Sequence, residues 1–107
     1  MHHTAAPTAA RLLALSLALI AGPALANADL ARARNCNACH APEKKLIGPS
    51  FKDIAAKYAA DTNAQAKLVR KVREGGVGVW GQIPMPANPQ VTADEAGVLV
   101  KWILTGR

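Results

Sequence analysis

The chain has 107 residues, 50% of them hydrophobic, and a formal net charge of +6. That is too apolar for a disordered segment and enough for one domain. The basic surplus alone would suit a nucleic-acid binder, but the start of the chain argues against that reading.

Residues 1–11 form a short polar stretch ending in Arg11, followed by an apolar run from Leu12 to Ala21. The run makes roughly 15 Å of helix against the roughly 30 Å of a bilayer core. Gly22-Pro23 breaks it, and Ala24-Leu25-Ala26 is a small-x-small cleavage pattern. This is the layout of a secretory signal peptide; a retained membrane anchor, the alternative, would need a longer run. The expected organisation is residues 1–26 as a cleavable signal peptide and 27–107 as a single domain of 107 − 26 = 81 residues. His2 and His3 fall in the discarded part. The mature charge is 12 − 7 = +5, and export to the periplasm removes nucleic acid from the expected partners. An acidic partner protein explains the charge more economically. A domain of this size buries only about 60% of its unfolded surface. Phe51, Tyr58, Trp80 and Trp102 are its aromatic residues, so a buried porphyrin would supply missing apolar bulk.

The first expected helix covers 28–35, capped by Asn27 or Asp29, with Leu30 and Ala33 inward and Arg32 and Arg34 solvated. It runs directly into Cys36-Asn37-Ala38-Cys39-His40. C-x-x-C-H is the pattern of c-type haem attachment. In one helical turn both thiols point to one side, where two vinyl groups can alkylate them, and His40 can offer the iron an imidazole nitrogen. A short-loop disulfide and a thioredoxin-like redox pair compete for the two cysteines. Neither explains His40, and the second wants a preceding strand.

Ala41 to Pro49 reads as a loop with Lys44 and Lys45 exposed. Ser50-Phe51-Lys52-Asp53 is a cap pattern opening a helix to about Tyr58. Thr62-Asn63-Ala64-Gln65 is a second capping box, opening a helix to about Glu74 with Leu68, Val69 and Val72 buried, which Gly75-Gly76 stops. Gly75 to Asn88 is a loop rich in Gly and Pro; it lacks the Gly-Lys-Ser/Thr that would make it a phosphate cradle. Thr92-Ala93-Asp94-Glu95 opens the last helix, to about Leu104, which should pack on the first. Four short helices with long loops and no strand pattern make an all-α domain.

After residue 26 the chain holds one histidine, His40, and one methionine, Met85. Two-histidine ligation within the chain is therefore excluded. Met85 leads the candidates for a second iron ligand, ahead of Lys, Tyr58 or the N-terminal amine. Pro84 and Pro86 stiffen its backbone, so a thioether can be held in place there; the alternative is a gap-filling hydrophobe. His/Met ligation closes both axial positions and raises the potential, which suits electron transfer. A haem peroxidase or gas-binding protein would need Met85 off the iron, and a non-haem module would carry a Cys36–Cys39 disulfide.

Val79-Trp80-Gly81-Gln82-Ile83-Pro84-Met85-Pro86-Ala87-Asn88 and Ile47-Gly48-Pro49-Ser50-Phe51-Lys52-Asp53 carry a resemblance, extending over 27–107, to the short bacterial class I cytochromes c. The resemblance implies a cytochrome c fold around one covalent haem c: Cys36 and Cys39 as thioethers, His40 and Met85 axial to iron. It implies that the Pro49 carbonyl meets the His40 ring, that Trp80 and Lys71 neighbour the propionates, and that Asn88 bonds near the Met85 sulfur. It also implies a monomeric one-electron carrier, not an enzyme, in a periplasmic respiratory chain. A bc1-type donor, a nitrite reductase or a terminal oxidase would be its partners, with no stable membrane insertion. Ala31 stands where relatives often carry an aromatic residue, so the first and last helices should meet loosely unless Leu30 compensates. Gln82 replaces a proline and should loosen the ligand loop slightly.

Overall fold

The computed structural model describes residues 1–6 and 22–107; Leu12 to Ala21, the apolar run of the expected signal peptide, lie outside them. Among the described residues the elements are helical: α1 (Pro23–Ala33), a turn of 3₁₀ helix (Cys36–Ala38), α2 (Phe51–Tyr58), α3 (Ala64–Glu74) and α4 (Ala93–Thr105). The all-α expectation holds. The described residues contain two isolated β-bridges, His40 with Lys45 and Gly76 with Met85. No described helix is long and apolar enough to cross a membrane.

Helix α1 starts earlier than expected. Gly22 is its N-cap and Pro23 its first residue, a position where the missing N–H and fixed φ cost nothing. Ala31, not Ala33, is the buried residue, 1% exposed against Val91, Ala96 and Leu99, with Leu30 packed alongside. A methyl group therefore fills this contact, and Leu30 adds the bulk that Ala31 lacks. Nor does α1 run into the cysteine motif. It ends at Arg34, and Asn35 takes the left-handed conformation (φ 62°) that Asn tolerates better than most residues. The chain turns there before Cys36.

Helix α2 is opened as expected: the Ser50 hydroxyl accepts from the Asp53 amide at 3.0 Å. Helix α3 is not opened by Thr62. Its N-cap, Asn63, makes no side-chain cap bond; the Asp61 carboxylate accepts from the Asn63 amide at 2.8 Å. Gln65 instead donates to the Gly97 carbonyl at 2.9 Å, tying α3 to α4. The α4 capping box is complete, with Thr92 and Glu95 each accepting from the other's amide.

Helix α4 is the hub, packing on α1, α2 and α3. Its Ala96, Leu99 and Val100 are essentially inaccessible. Burying Leu99 and Val100 contributes about 1.5–3 kcal/mol each. Arg34, expected to be solvated, reaches back to α4: its Nε and Nη2 donate to Glu95 Oε2 at 2.9 and 2.5 Å. This guanidinium, together with the Thr92 amide, holds the Glu95 carboxyl below its ordinary range.

Candidate functional site

Behind α2, α3 and α4 lies one large cavity, and seven of the eight expected site residues line it. Cys36, Cys39 and His40 come from the motif, Pro49 from the loop before α2, Lys71 from α3, and Trp80 and Met85 from the loop after α3. Asn88 does not line it. Ile47, Ile54, Leu68, Val72, Leu99 and Ile103 make much of the remaining wall.

The 3₁₀ turn sets the motif. His40 N–H donates to the Cys36 carbonyl at 3.0 Å, and Cys39 N–H does so at 3.2 Å. This tight winding, one helical turn as expected, keeps both cysteines at the cavity edge. Both thiols are free. Burial pushes the Cys36 thiol above its ordinary pKa, partly offset by a backbone hydrogen bond, so at neutral pH it stays protonated.

Three contacts orient the His40 ring. Nδ1 lies 2.7 Å from the Pro49 carbonyl oxygen. A carbonyl only accepts, so Nδ1 carries the proton and Nε2 keeps its lone pair. The ring stacks on Phe51, with centroids 5.6 Å apart at 22°, and Phe51 in turn meets Trp102 edge-on at 5.3 Å. The third contact is Gly48, where a Cβ would stand 2.6 Å from His40 Cε1. Only glycine leaves the ring this room. The loop also closes on the motif: Gly48 N–H donates to the Cys39 carbonyl at 2.8 Å, and the free amides at the start of α2, Phe51 and Lys52, donate to Ala41 and Pro42.

Met85 is held by its backbone. It exchanges two hydrogen bonds with Gly76, Met85 N–H to the Gly76 carbonyl at 2.8 Å and Gly76 N–H to the Met85 carbonyl at 3.0 Å. Asn88 fastens the loop's far end. Its Nδ2 donates to the carbonyls of Val72 at 3.0 Å and Pro86 at 3.2 Å, and its own N–H also reaches Val72. That side-chain amide is therefore committed to backbone carbonyls, one of them on the residue next to Met85. Trp80 is 45% exposed, and the Lys57 ammonium sits 5.2 Å from its ring centroid.

The cavity fits an apolar, iron-bearing cofactor. Among the described residues, eight large hydrophobic residues are exposed, and five of them, Ile47, Val77, Val79, Trp80 and Ile83, line this one space. Such a concentration of uncovered apolar surface marks a binding site. The donor set, an imidazole with a free lone pair, a thioether and two thiols, matches haem iron and its vinyl groups.

Sequence reasoning passed over Gly48, read only as loop punctuation, and gave Lys57 no role. The Ile47-Gly48-Pro49 segment carried the first signal without saying what glycine does there. Nothing local marks Lys57.

Comparison with known proteins agrees with this geometry. Residues 21–107 match the cytochrome c family. Cytochrome c-552 of Nitrosomonas europaea is 53% identical over 92 residues, covering 86% of this chain and 89% of that one. Cytochrome c-551 of Allochromatium vinosum is 48% identical over 92 residues, 86% of this chain and 98% of that one. The crystal structure of wild-type Nitrosomonas europaea cytochrome c552 superposes with a TM-score of 0.72 at 52% identity, over 75% of this chain and 99% of that one. The class 1 cytochrome MtoD of Sideroxydans lithotrophicus ES-1 gives 0.62 at 33% identity, over 75% and 91% of the two chains. This chain belongs to the cytochrome c family, as an electron carrier with covalently attached haem c and not as an enzyme.

Proposed function

We propose that the protein is a periplasmic one-electron carrier of a respiratory chain, with His40 and Met85 as axial iron ligands and Cys36 and Cys39 as thioether attachments. One observation carries this reading. The one histidine and one methionine beyond residue 26 both line the cavity that the two cysteines edge. The bound haem supplies a centre that cycles between Fe(II) and Fe(III).

The chain's own residues prepare that centre. Pro49 fixes the His40 tautomer and strengthens its free nitrogen as a donor. The thioether of Met85, neutral and soft, favours Fe(II) and raises the potential. With His40 and Met85 both holding the iron, small ligands would find no open site. Lys71 and Trp80 serve as propionate neighbours at the cavity rim, and Asn88 acts as the anchor of the ligand loop. Lys45 lines this cavity, Lys57 lies over the ring of Trp80, and neither belongs to an ion pair among the described residues. Their charge would steer an acidic partner toward it. A bc1-type donor and a nitrite reductase or terminal oxidase as acceptor fit such a carrier, acting as a monomer. Residues 1–26 are its cleavable signal peptide and 27–107 its working domain.

The test is the oxidised holoprotein's far-red charge-transfer band, which reports iron bonded to methionine sulfur. We expect the band at neutral pH, no carbon monoxide adduct of the reduced form, and haem that stays on the denatured chain. A missing band with ready carbon monoxide binding would end the His/Met reading. The mass of the exported protein checks cleavage after Ala26.

A further inference from the structure

The β-bridge between Gly76 and Met85 closes a loop whose neck rests on the C-terminus of α3, and Gly75 occupies the point of contact. It caps α3 at φ 72°, ψ −168°, with its N–H donating to the Lys71 carbonyl at 2.8 Å. Side chains avoid that backbone conformation. Space forbids one as well: a Cβ on Gly75 would stand 2.5 Å from the Met85 oxygen, 2.7 Å from the Ala87 nitrogen and 2.9 Å from the Pro86 carbonyl carbon. All three are backbone atoms, which cannot swing aside. Neighbouring glycines differ. A Cβ on Gly76 would meet the Lys71 ammonium, the movable end of a long side chain, and Gly78, at φ 102°, has nothing within 4 Å.

We infer that Gly75 is a positioning residue, a stop at the end of α3 against which the Met85–Ala87 backbone rests and which sets where the Met85 sulfur stands in the cavity. The stop is rigid on one side because Leu68 buries α3 in the core with Phe51, Ile54 and Val100. It is stiff on the other because Pro84 and Pro86 fix φ on both sides of Met85. The thioether can rotate, but only about a Cα that this contact locates. A side chain at 75 therefore moves the Cα, and rotamers cannot restore its place.

The inference rests on Met85 as ligand, and two readouts keep them apart: the Fe–S(Met) band of the oxidised holoprotein and amide hydrogen exchange of Gly76 and Met85. In the unmodified holoprotein those two amides should exchange far more slowly than Val77 and Val79. Gly75→Ala should raise their exchange by about tenfold or more and weaken the band. Gly78→Ala, strained but touching nothing, should leave both near their original values. An unchanged Gly75→Ala protein, or an equal response in Gly78→Ala, overturns the stop. If Gly75→Ala yields no holoprotein, the unmodified protein decides: Gly76 and Met85 amides as labile as Val77 and Val79 would overturn the stop too. A band absent from the start removes the ligand reading alone, and exchange then decides on the stop.

Discussion

The His40 and Met85 sides of the cavity are built by opposite means. On the His40 side, the ring itself is gripped: a carbonyl bonds it, Phe51 stacks on it and Gly48 makes room for it. On the Met85 side, hydrogen bonds seize only the peptide, through Gly76, while Asn88 ties down the loop beyond. An imidazole is rigid and has a second nitrogen to hold, so it can be aimed directly. A thioether has no strong donor or acceptor, so it can only be aimed through its backbone. The methionine side should therefore yield first under stress, and the histidine side should fail only when its packing is broken.

Perturbations of each side separate these behaviours. Met85→Ala should act most strongly, lowering the potential by on the order of a hundred millivolts, since axial ligand choice spans about 0.8 V. Potentiometry on the purified holoprotein measures this, and an unchanged value would contradict ligation. Gly48→Ala comes next. Its methyl would press on His40 and cost about 1–3 kcal/mol, seen as an earlier denaturation midpoint with the Fe–S band still present below it. Ser50→Ala removes the cap that starts the Phe51 helix and should cost about 1 kcal/mol by the same melt. Lys57→Gln should have the smallest effect, about 0.5–1 kcal/mol at most, because an exposed cation over an indole is worth little. It should be read as faster exchange of loop amides near Trp80, with the His40 side unaffected.

The chemistry was more legible in the sequence than the geometry that serves it. Cys36, Cys39 and His40 are adjacent, and Met85 is alone of its kind after residue 26, so their joint presence in one cavity followed from spacing and counting. The Ser50 and Thr92 caps were equally local. Thr62 misled because the helix begins one residue later, with Asn63 as its N-cap, and the Gln65 side chain turns to the Gly97 carbonyl. Pro23 was read as a break when it opens a helix, since proline suits the first turn as well as a stop. The steric role of Gly48 could not be read locally: its meaning lies in a ring eight residues away, brought near by the fold. Lys57 and Trp80 meet for the same reason, as do Arg34 and Glu95, which are 61 residues apart.

That last pair has a topological consequence. Joining Arg34 to Glu95 ties the chain into a ring that contains every residue lining the cavity except Leu99, Val100 and Ile103 of α4. While this clasp holds, the start of α4 cannot leave the end of α1. Because its carboxyl titrates lower when folded, the clasp adds stability above the free glutamate pKa. That contribution disappears as pH falls through the lowered value, while the Thr92 hydroxyl still accepts from the Glu95 amide. Acid should therefore unfasten the molecule at its seam, with melts in Glu95→Gln losing much of their slope against pH in that range.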